Sequence, residues 1–213
     1  KSKEGVKSIL ITSSETKEGK SITTANLSII LSMNNKKTII VDADMRKPAV
    51  HRIFQLENTM GLTNYFEGAV KDVKKLIQPG VNSNHYVLTC GPHTHFSSEY
   101  LDSPMVEKLI GELKKEGFEY IIFDTPPVNA LTDAVVLSNK VDGVVFVIMS
   151  NHINRHRVKI AIDSIKKSGG NIMGVVLNGI PLRGGYGYYY YYYGNTYYYS
   201  YYSEDKKGEG EKS

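Results

Sequence analysis

Lys7-Ser8-Ile9-Leu10-Ile11-Thr12, followed after Ser13 by Ser14-Glu15-Thr16-Lys17-Glu18-Gly19-Lys20-Ser21, is the stretch on which the fold turns. The first part is apolar without alternation, as a strand buried on both faces requires. The second nearly matches G-x-x-x-x-G-K-[ST], with Ser14 in place of the first glycine. A helix is expected from about Ser21 to Met33, with Ile22, Ala25, Ile29 and Met33 on one face. Strand, loop and helix in that order suit phosphate binding. Loop amides and the helix N-terminus point at phosphate, and Gly19 lets the backbone approach closely. Lys20 adds a compact positive charge, and the Ser21 hydroxyl suits Mg²⁺, which takes oxygen ligands. The competing account is a Gly-Lys-Ser turn at an ordinary helix start.

Outward from this stretch, Thr38-Ile39-Ile40-Val41 reads as a second buried strand and Tyr86-Val87-Leu88-Thr89 as a shorter one. A helix is expected from Pro104 to Glu116, its apolar face formed by Val106, Leu109, Ile110 and Leu113. Tyr120 to Phe123, Gly143 to Met149 and Ile172 to Leu177 complete the strands. A helix from Arg155 to Ser168 carries Val158, Ala161, Ile162 and Ile165 at helical spacing, and Gly169-Gly170 ends it. Buried strands alternating with amphipathic helices predict an α/β fold, a mostly parallel sheet flanked by helices. Ligands then bind at one sheet edge, beyond the strand C-termini.

Two of those strand ends are acidic. Val41-Asp42-Ala43-Asp44-Met45-Arg46 places two carboxylates at i and i+2, on one side of an extended chain. Phe123-Asp124-Thr125-Pro126-Pro127 is a hydrophobic strand closing on an Asp, the pattern that holds a metal near transferred phosphate. Phosphoryl transfer needs charge neutralisation and positioning, and a hydroxyl acceptor profits from a carboxylate that takes its proton. The plainer account of each Asp is a turn former or helix cap.

Composition sets the remaining bounds. The 213 residues suit one α/β domain, and the net charge of +4 permits a phosphate ligand without demanding one. The single Cys90 excludes an internal disulfide and fits a reducing compartment. No apolar run spans a bilayer and no signal peptide opens the chain. The start at Lys1 leads to the expectation of a fragment of a longer protein, its membrane part fused upstream or else a separate activator. Beyond Arg183 the character changes: twelve of the 16 tyrosines fall between Tyr186 and Tyr202, spaced by Gly, Asn, Thr and Ser. The expected domains are therefore 1–183, globular, and 184–213, a flexible, disordered tail. No basic residue lies within the tyrosine cluster, which argues against nucleic acid. His152 and His156, and Cys90 with His93 and His95, lack the further ligands a metal site needs. Arg155, Arg157 and Lys159 are expected to form a solvated basic face or a partner surface.

Lys17-Glu18-Gly19-Lys20-Ser21, Val41-Asp42-Ala43-Asp44-Met45-Arg46-Lys47-Pro48 and Phe123-Asp124-Thr125-Pro126-Pro127, together with the tyrosine tail, resemble the bacterial tyrosine kinases of exopolysaccharide and capsule assembly. These are similar in turn to the P-loop ATPases of the MinD and ParA group. The resemblance implies a MinD-like P-loop NTPase fold, ATP and Mg²⁺ as ligands, and a nucleotide site at Glu18, Gly19, Lys20, Ser21, Ile22 and Asn178, the last near adenine. It implies catalytic roles for Lys20, Asp42, Asp44 and Asp124, and metal binding by Ser21, Asp42 and Asp124. It implies phosphoacceptors at Tyr186, Tyr188, Tyr189, Tyr190, Tyr191, Tyr192, Tyr193, Tyr197, Tyr198, Tyr199, Tyr201 and Tyr202, modified in trans within a homo-oligomeric ring. The family's partners are a membrane polysaccharide co-polymerase domain or activator and a tyrosine phosphatase, at the cytoplasmic face of the cell membrane. Thr16 stands where a proline is frequent, and the family's ring-forming Glu- and Arg-bearing helix has no counterpart in Lys1 to Val6. The alternative is a MinD- or ParA-like ATPase switch without kinase activity. Those proteins usually carry a second lysine early in the loop, where this chain has Glu15.

Overall fold

A computed structural model describes residues 7–94, 96–151 and 154–181 of the chain. In chain order the elements are β1 (Lys7–Ser13), α1 (Lys20–Met33), β2 (Thr38–Asp42), α2 (Val50–Phe54), α3 (Leu62–Phe66), a 3₁₀ turn (Val73–Leu76), β3 (Ile77–Pro79) and β4 (His85–Leu88). There follow α4 (Ser97–Asp102), α5 (Met105–Lys115), β5 (Tyr120–Asp124), α6 (Asp133–Ser138), β6 (Gly143–Met149), α7 (Arg155–Lys167) and β7 (Ile172–Asn178). The tyrosine cluster and the expected tail from residue 184 lie outside the described residues. The described residues up to Asn178 form one compact unit. Among the described residues no helix is long and apolar enough to cross a membrane.

Seven strands form one sheet in the order β3-β4-β2-β5-β1-β6-β7, parallel throughout except for β3 against β4. This is the mostly parallel α/β sheet expected from the apolar runs. The two edges differ. β3 is three residues long and ends on Pro79, which cannot donate to a further strand. β7 is longer and carries Met173, Val175 and Leu177 about half exposed.

The pleat sorts the core into two faces. Leu10, Ile39, Val41, Ile121, Phe123, Val144 and Phe146 belong to the larger cluster, shared with α5, α6 and α7 residues such as Leu109, Leu137 and Ile165. Ile9, Ile11, Ile122 and Val147 face the other way, against Leu27 and Leu31 of α1. Ile40 lies on that same side with Val50 of α2. The α5 face is as expected: Val106, Leu109, Ile110 and Leu113 are all buried.

The expected face of α1 is corrected. Ile22 and Met33 are exposed, and the buried stripe is Thr24, Ala25, Ser28 and Ser32. Small residues let the helix lie close to the sheet, and each hydroxyl is satisfied within the helix. Thr24 donates to the Lys20 carbonyl, Ser28 to that of Ala25 and Ser32 to that of Ile29. At i, i+4 and i+8 these hydroxyls also reach across to Asp124, His85 and Asn82. Apolar periodicity alone misses such a stripe.

His85 shows the consequence for stability. Its Nδ1 accepts from the Val81 N–H at 3.4 Å, so Nε2 carries the proton and donates to Ser28 Oγ at 2.8 Å. A second proton would remove the acceptor, and burial holds the ring neutral, its pKa pushed down to about 4. The unfolded ring, near the ordinary 6.5, takes up a proton that the folded ring refuses. Stability therefore falls as pH drops from about 6.5 towards about 4, by roughly 2 kcal/mol at pH 5. Urea unfolding at pH 7.5 and pH 5 should show this loss, and His85→Gln should flatten the difference while lowering stability at both.

Candidate nucleotide site

The pleat carries the acidic residues to one place. Ile40 and Ile122 face α1, so Asp42 and Asp124, two residues on, do the same. They are also direct neighbours, paired at the C-terminal ends of adjacent parallel strands. Ser13, two residues beyond Ile11, turns the chain into the phosphate loop on that same face. Lys20 and Ser21 open α1 above them. The set expected to converge (Lys20, Ser21, Asp42, Asp44 and Asp124) does converge.

Each carboxylate is held differently. Asp42 is fully buried; its Oδ1 accepts from the Asp44 N–H at 3.3 Å, and its Oδ2 from the Ala49 and Val50 N–H groups at 3.1 and 3.0 Å. It therefore serves as a cap for α2 as well as a site residue. Asp44 accepts the Lys47 N–H through Oδ1 at 3.0 Å and pairs through Oδ2 with Lys20 Nζ at 3.5 Å. Asp124 Oδ1 lies 3.2 Å from Thr24 Oγ1 and shares that hydroxyl's one proton with the Lys20 carbonyl, while its buried Oδ2 makes no hydrogen bond among the described residues. Burial raises the pKa of Asp42 to about 8, with the Asp124 charge adding to it. Burial raises Asp124 to about 6, opposed by Lys20, by the nearby Ser21 hydroxyl and by Thr24. An orphaned buried carboxylate oxygen beside a serine hydroxyl fits a Mg²⁺ ion. Ser21 and Asp124 would hold it directly, and Asp42, its oxygens occupied, through water. Among the described residues no group of three or more His, Cys, Asp or Glu side chains forms a standing metal cluster. The carboxylates suit a cation that arrives with its nucleotide.

The loop is braced from inside by Glu18, whose carboxylate is fully buried. Oε2 accepts from Ser14 Oγ at 2.9 Å and the Glu15 N–H at 2.7 Å, and Oε1 from the Met149 N–H at 3.1 Å. Ser14 thus replaces the usual glycine with a hydroxyl that this brace consumes. What Glu18 offers a phosphate is its main chain, since its side chain is spent on the loop. Gly19 sits at φ 86°, and an added Cβ would lie 2.1 Å from Asn178 Nδ2. Asn178 Nδ2 itself donates to the Glu18 carbonyl at 3.1 Å, so this residue buttresses the loop. Ile22 has an exposed side chain and lies in the first turn of α1, which has no side-chain cap. Its amide is among those a phosphate can use.

Sequence reasoning missed two contributors. Thr24 reaches Asp124 through the hydroxyl stripe of α1. Arg157, expected on a solvated basic face or a partner surface, is exposed and also pairs with Glu15 of the loop at 2.8 Å. Nothing in the spacing of residues 15 and 157 signals that contact.

Comparison with known proteins agrees with this geometry. Residues 5–182 match the family model described as ParA, NUBPL iron-transfer P-loop NTPase. The chain is 38% identical over 83% of its length to the putative tyrosine-protein kinase CapB of Staphylococcus aureus, covering 77% of that protein. It is 37% identical over 86% of its length to the tyrosine-protein kinase YwqD of Bacillus subtilis, again covering 77%. The crystal structure of the chimerical protein CapA2B2 superposes with a TM-score of 0.79 at 37% identity, covering 84% of this chain and 79% of that one.

Two measurements check the site. Glu18→Ala strands three donors and should cost roughly 2–4 kcal/mol in urea unfolding, with nucleotide affinity falling as the loop loosens. The raised carboxylates set a second test. Acids whose folded pKa exceeds the ordinary value near 4 stabilise the fold at low pH and lose that contribution as pH rises towards about 8. A cation between them removes the loss. The upward shift in melting temperature on replacing EDTA with Mg²⁺ and ADP should therefore be larger at pH 8.5 than at pH 5.5.

Proposed function

The chain belongs to the bacterial tyrosine-protein kinases, a branch of the ParA-type P-loop NTPases, and we propose that it phosphorylates its own C-terminal tyrosines in trans. The observation that carries this is the convergence of Lys20, Ser21, Asp42, Asp44 and Asp124 at one sheet edge, with the Lys20 ammonium resting on Asp44. That arrangement holds a triphosphate and keeps a carboxylate beside its outer end.

Magnesium, when bound, neutralises charge on the phosphate oxygens. The loop amides and the first turn of α1 bind the phosphates, and Lys20 leaves Asp44 to meet them. Asp44 is then the uncovered carboxylate. It is better placed than Asp42 to take the proton of an incoming tyrosine, because both Asp42 oxygens already accept main-chain N–H groups. The phenolic oxygen attacks the γ-phosphorus, ADP departs, and the proton passes to Asp44. A tyrosine hydroxyl reaches further from its backbone than serine, and the Gly, Asn, Thr and Ser spacers keep the acceptors at high local concentration. Each added phosphate carries roughly −1.5 to −2 charges, enough in number to outweigh the domain's small positive balance and loosen subunit contacts.

We assign the chain to the control of polysaccharide synthesis or export at the cytoplasmic face of the membrane. Its partners there are neighbouring subunits of a ring, a membrane co-polymerase domain or activator, and a tyrosine phosphatase. The family resemblance and the kinship to CapB support this. The same fold also serves nucleotide switches, and Glu15 in place of their second loop lysine favours the kinase.

Incubation with Mg²⁺ and ATP followed by anti-phosphotyrosine detection tests the proposal. Lys20→Met should lower the signal by at least about 100-fold, and a chain cut after Arg183 should lose its own label. Steady ATP hydrolysis with no phosphotyrosine would instead identify a switch.

A further inference from the structure

A carboxylate is an unfavourable neighbour for a polyphosphate, yet Glu15 sits in the phosphate loop. Its Oε1 accepts from Arg157 Nη2 at 2.8 Å and from Asn129 Nδ2 at 3.3 Å. The same Asn129 Nδ2 donates to the Arg157 carbonyl at 3.1 Å. Three segments thus meet at one oxygen: the beginning of the phosphate loop, the chain just beyond Asp124, and the first turn of α7. Main-chain bonds fix the first two against each other, from the Val128 N–H to the Ser13 carbonyl at 2.9 Å and from the Asn129 N–H to the Ser14 carbonyl at 3.2 Å. Glu15 and Asn129 are therefore anchored. Arg157 is held by a single ion pair on a long stem, with its side chain 60% exposed, and exposed pairs of this kind break readily.

A triphosphate on the loop changes the competition for that guanidinium. Lys20 and Ser21 meet the phosphates at the helix end of the loop. Glu15 stands at the other end, zipped to the chain that leaves Asp124. A terminal phosphate carries more negative charge than a carboxylate and offers a guanidinium the same two-pronged geometry. ADP ends one phosphate short and lacks the γ-phosphate on which the contrast rests.

Resting on the nucleotide-binding account above, we propose that Arg157 is a nucleotide-sensing residue: Glu15 and Asn129 park its guanidinium at the mouth of the phosphate loop, and the terminal phosphate of ATP takes it over. The handover frees Glu15 while the bond from Asn129 to the Arg157 carbonyl keeps the first turn of α7 in place, so that the position of this one guanidinium distinguishes the ATP-bound from the ADP-bound chain.

Titration of the full chain with fluorescent ATP and ADP analogues in Mg²⁺ tests this without reference to turnover. Arg157→Ala should weaken ATP about tenfold and leave ADP within about twofold. Glu15→Gln, which removes the competitor, should tighten ATP several-fold. The double variant Glu15→Gln/Arg157→Ala should keep the ATP-specific loss. If Arg157 serves only to cancel the charge of Glu15, the double variant regains wild-type ATP affinity, and the proposal is overturned. Equal weakening of ATP and ADP by Arg157→Ala would reduce the residue to a brace and overturn it as well. An unaltered chain that binds neither nucleotide refutes the nucleotide site itself, a failure visible before any substitution is made.

Discussion

Two carboxylates side by side at the ends of neighbouring strands, out of contact with water, form the interaction around which the rest is arranged. Buried like charges repel and resist desolvation, so the fold must surround Asp42 and Asp124 with compensation. Asp42 receives three main-chain N–H groups, two of them from the start of α2. Asp124 receives the Thr24 hydroxyl and the field of Lys20. Among the described residues, nothing hydrogen-bonds Asp124 Oδ2. A site that is fully compensated except at one oxygen is built to finish its coordination with a ligand.

The same compensation explains why α1 lies where it does. Its buried stripe is polar, and a helix with Thr24, Ser28 and Ser32 against a sheet needs partners at fixed intervals. Asp124, His85 and Asn82 supply them from β5, from β4 and from the turn before β4. The helix is thereby registered on the sheet by hydrogen bonds as well as by Leu27 and Leu31 packing on Ile9 and Ile11. This fixes where Lys20 and Ser21 stand relative to the carboxylates.

Much of this was legible in the residues. The continuous apolar runs located six of the seven strands, because a parallel sheet covered on both faces has no polar alternation to confuse them. The Gly-Lys-Ser segment and the two acidic strand ends named the site, since the chemistry of phosphate leaves few substitutes. The short elements α2, α3, α4, α6 and β3 were not legible: three to six residues hold too little periodicity, and their ends are set by tertiary bonds such as Asp42 to Val50. The α1 face was misjudged because hydroxyls that bond back to their own helix bury as readily as small apolar groups. The Glu15–Arg157 contact spans the whole domain and leaves no local trace.

The buried brace at Glu18 has a kinetic consequence. A loop that must be ordered on capture weakens the complex by the entropy it loses. Here one side chain ties the loop at both ends before anything arrives, with Asn178 leaning on it from β7. The receptor is set in advance, so the entropy of ordering is charged to protein folding and not to ligand capture. Uptake then proceeds at the pace of encounter, with no folding of the loop left to wait for.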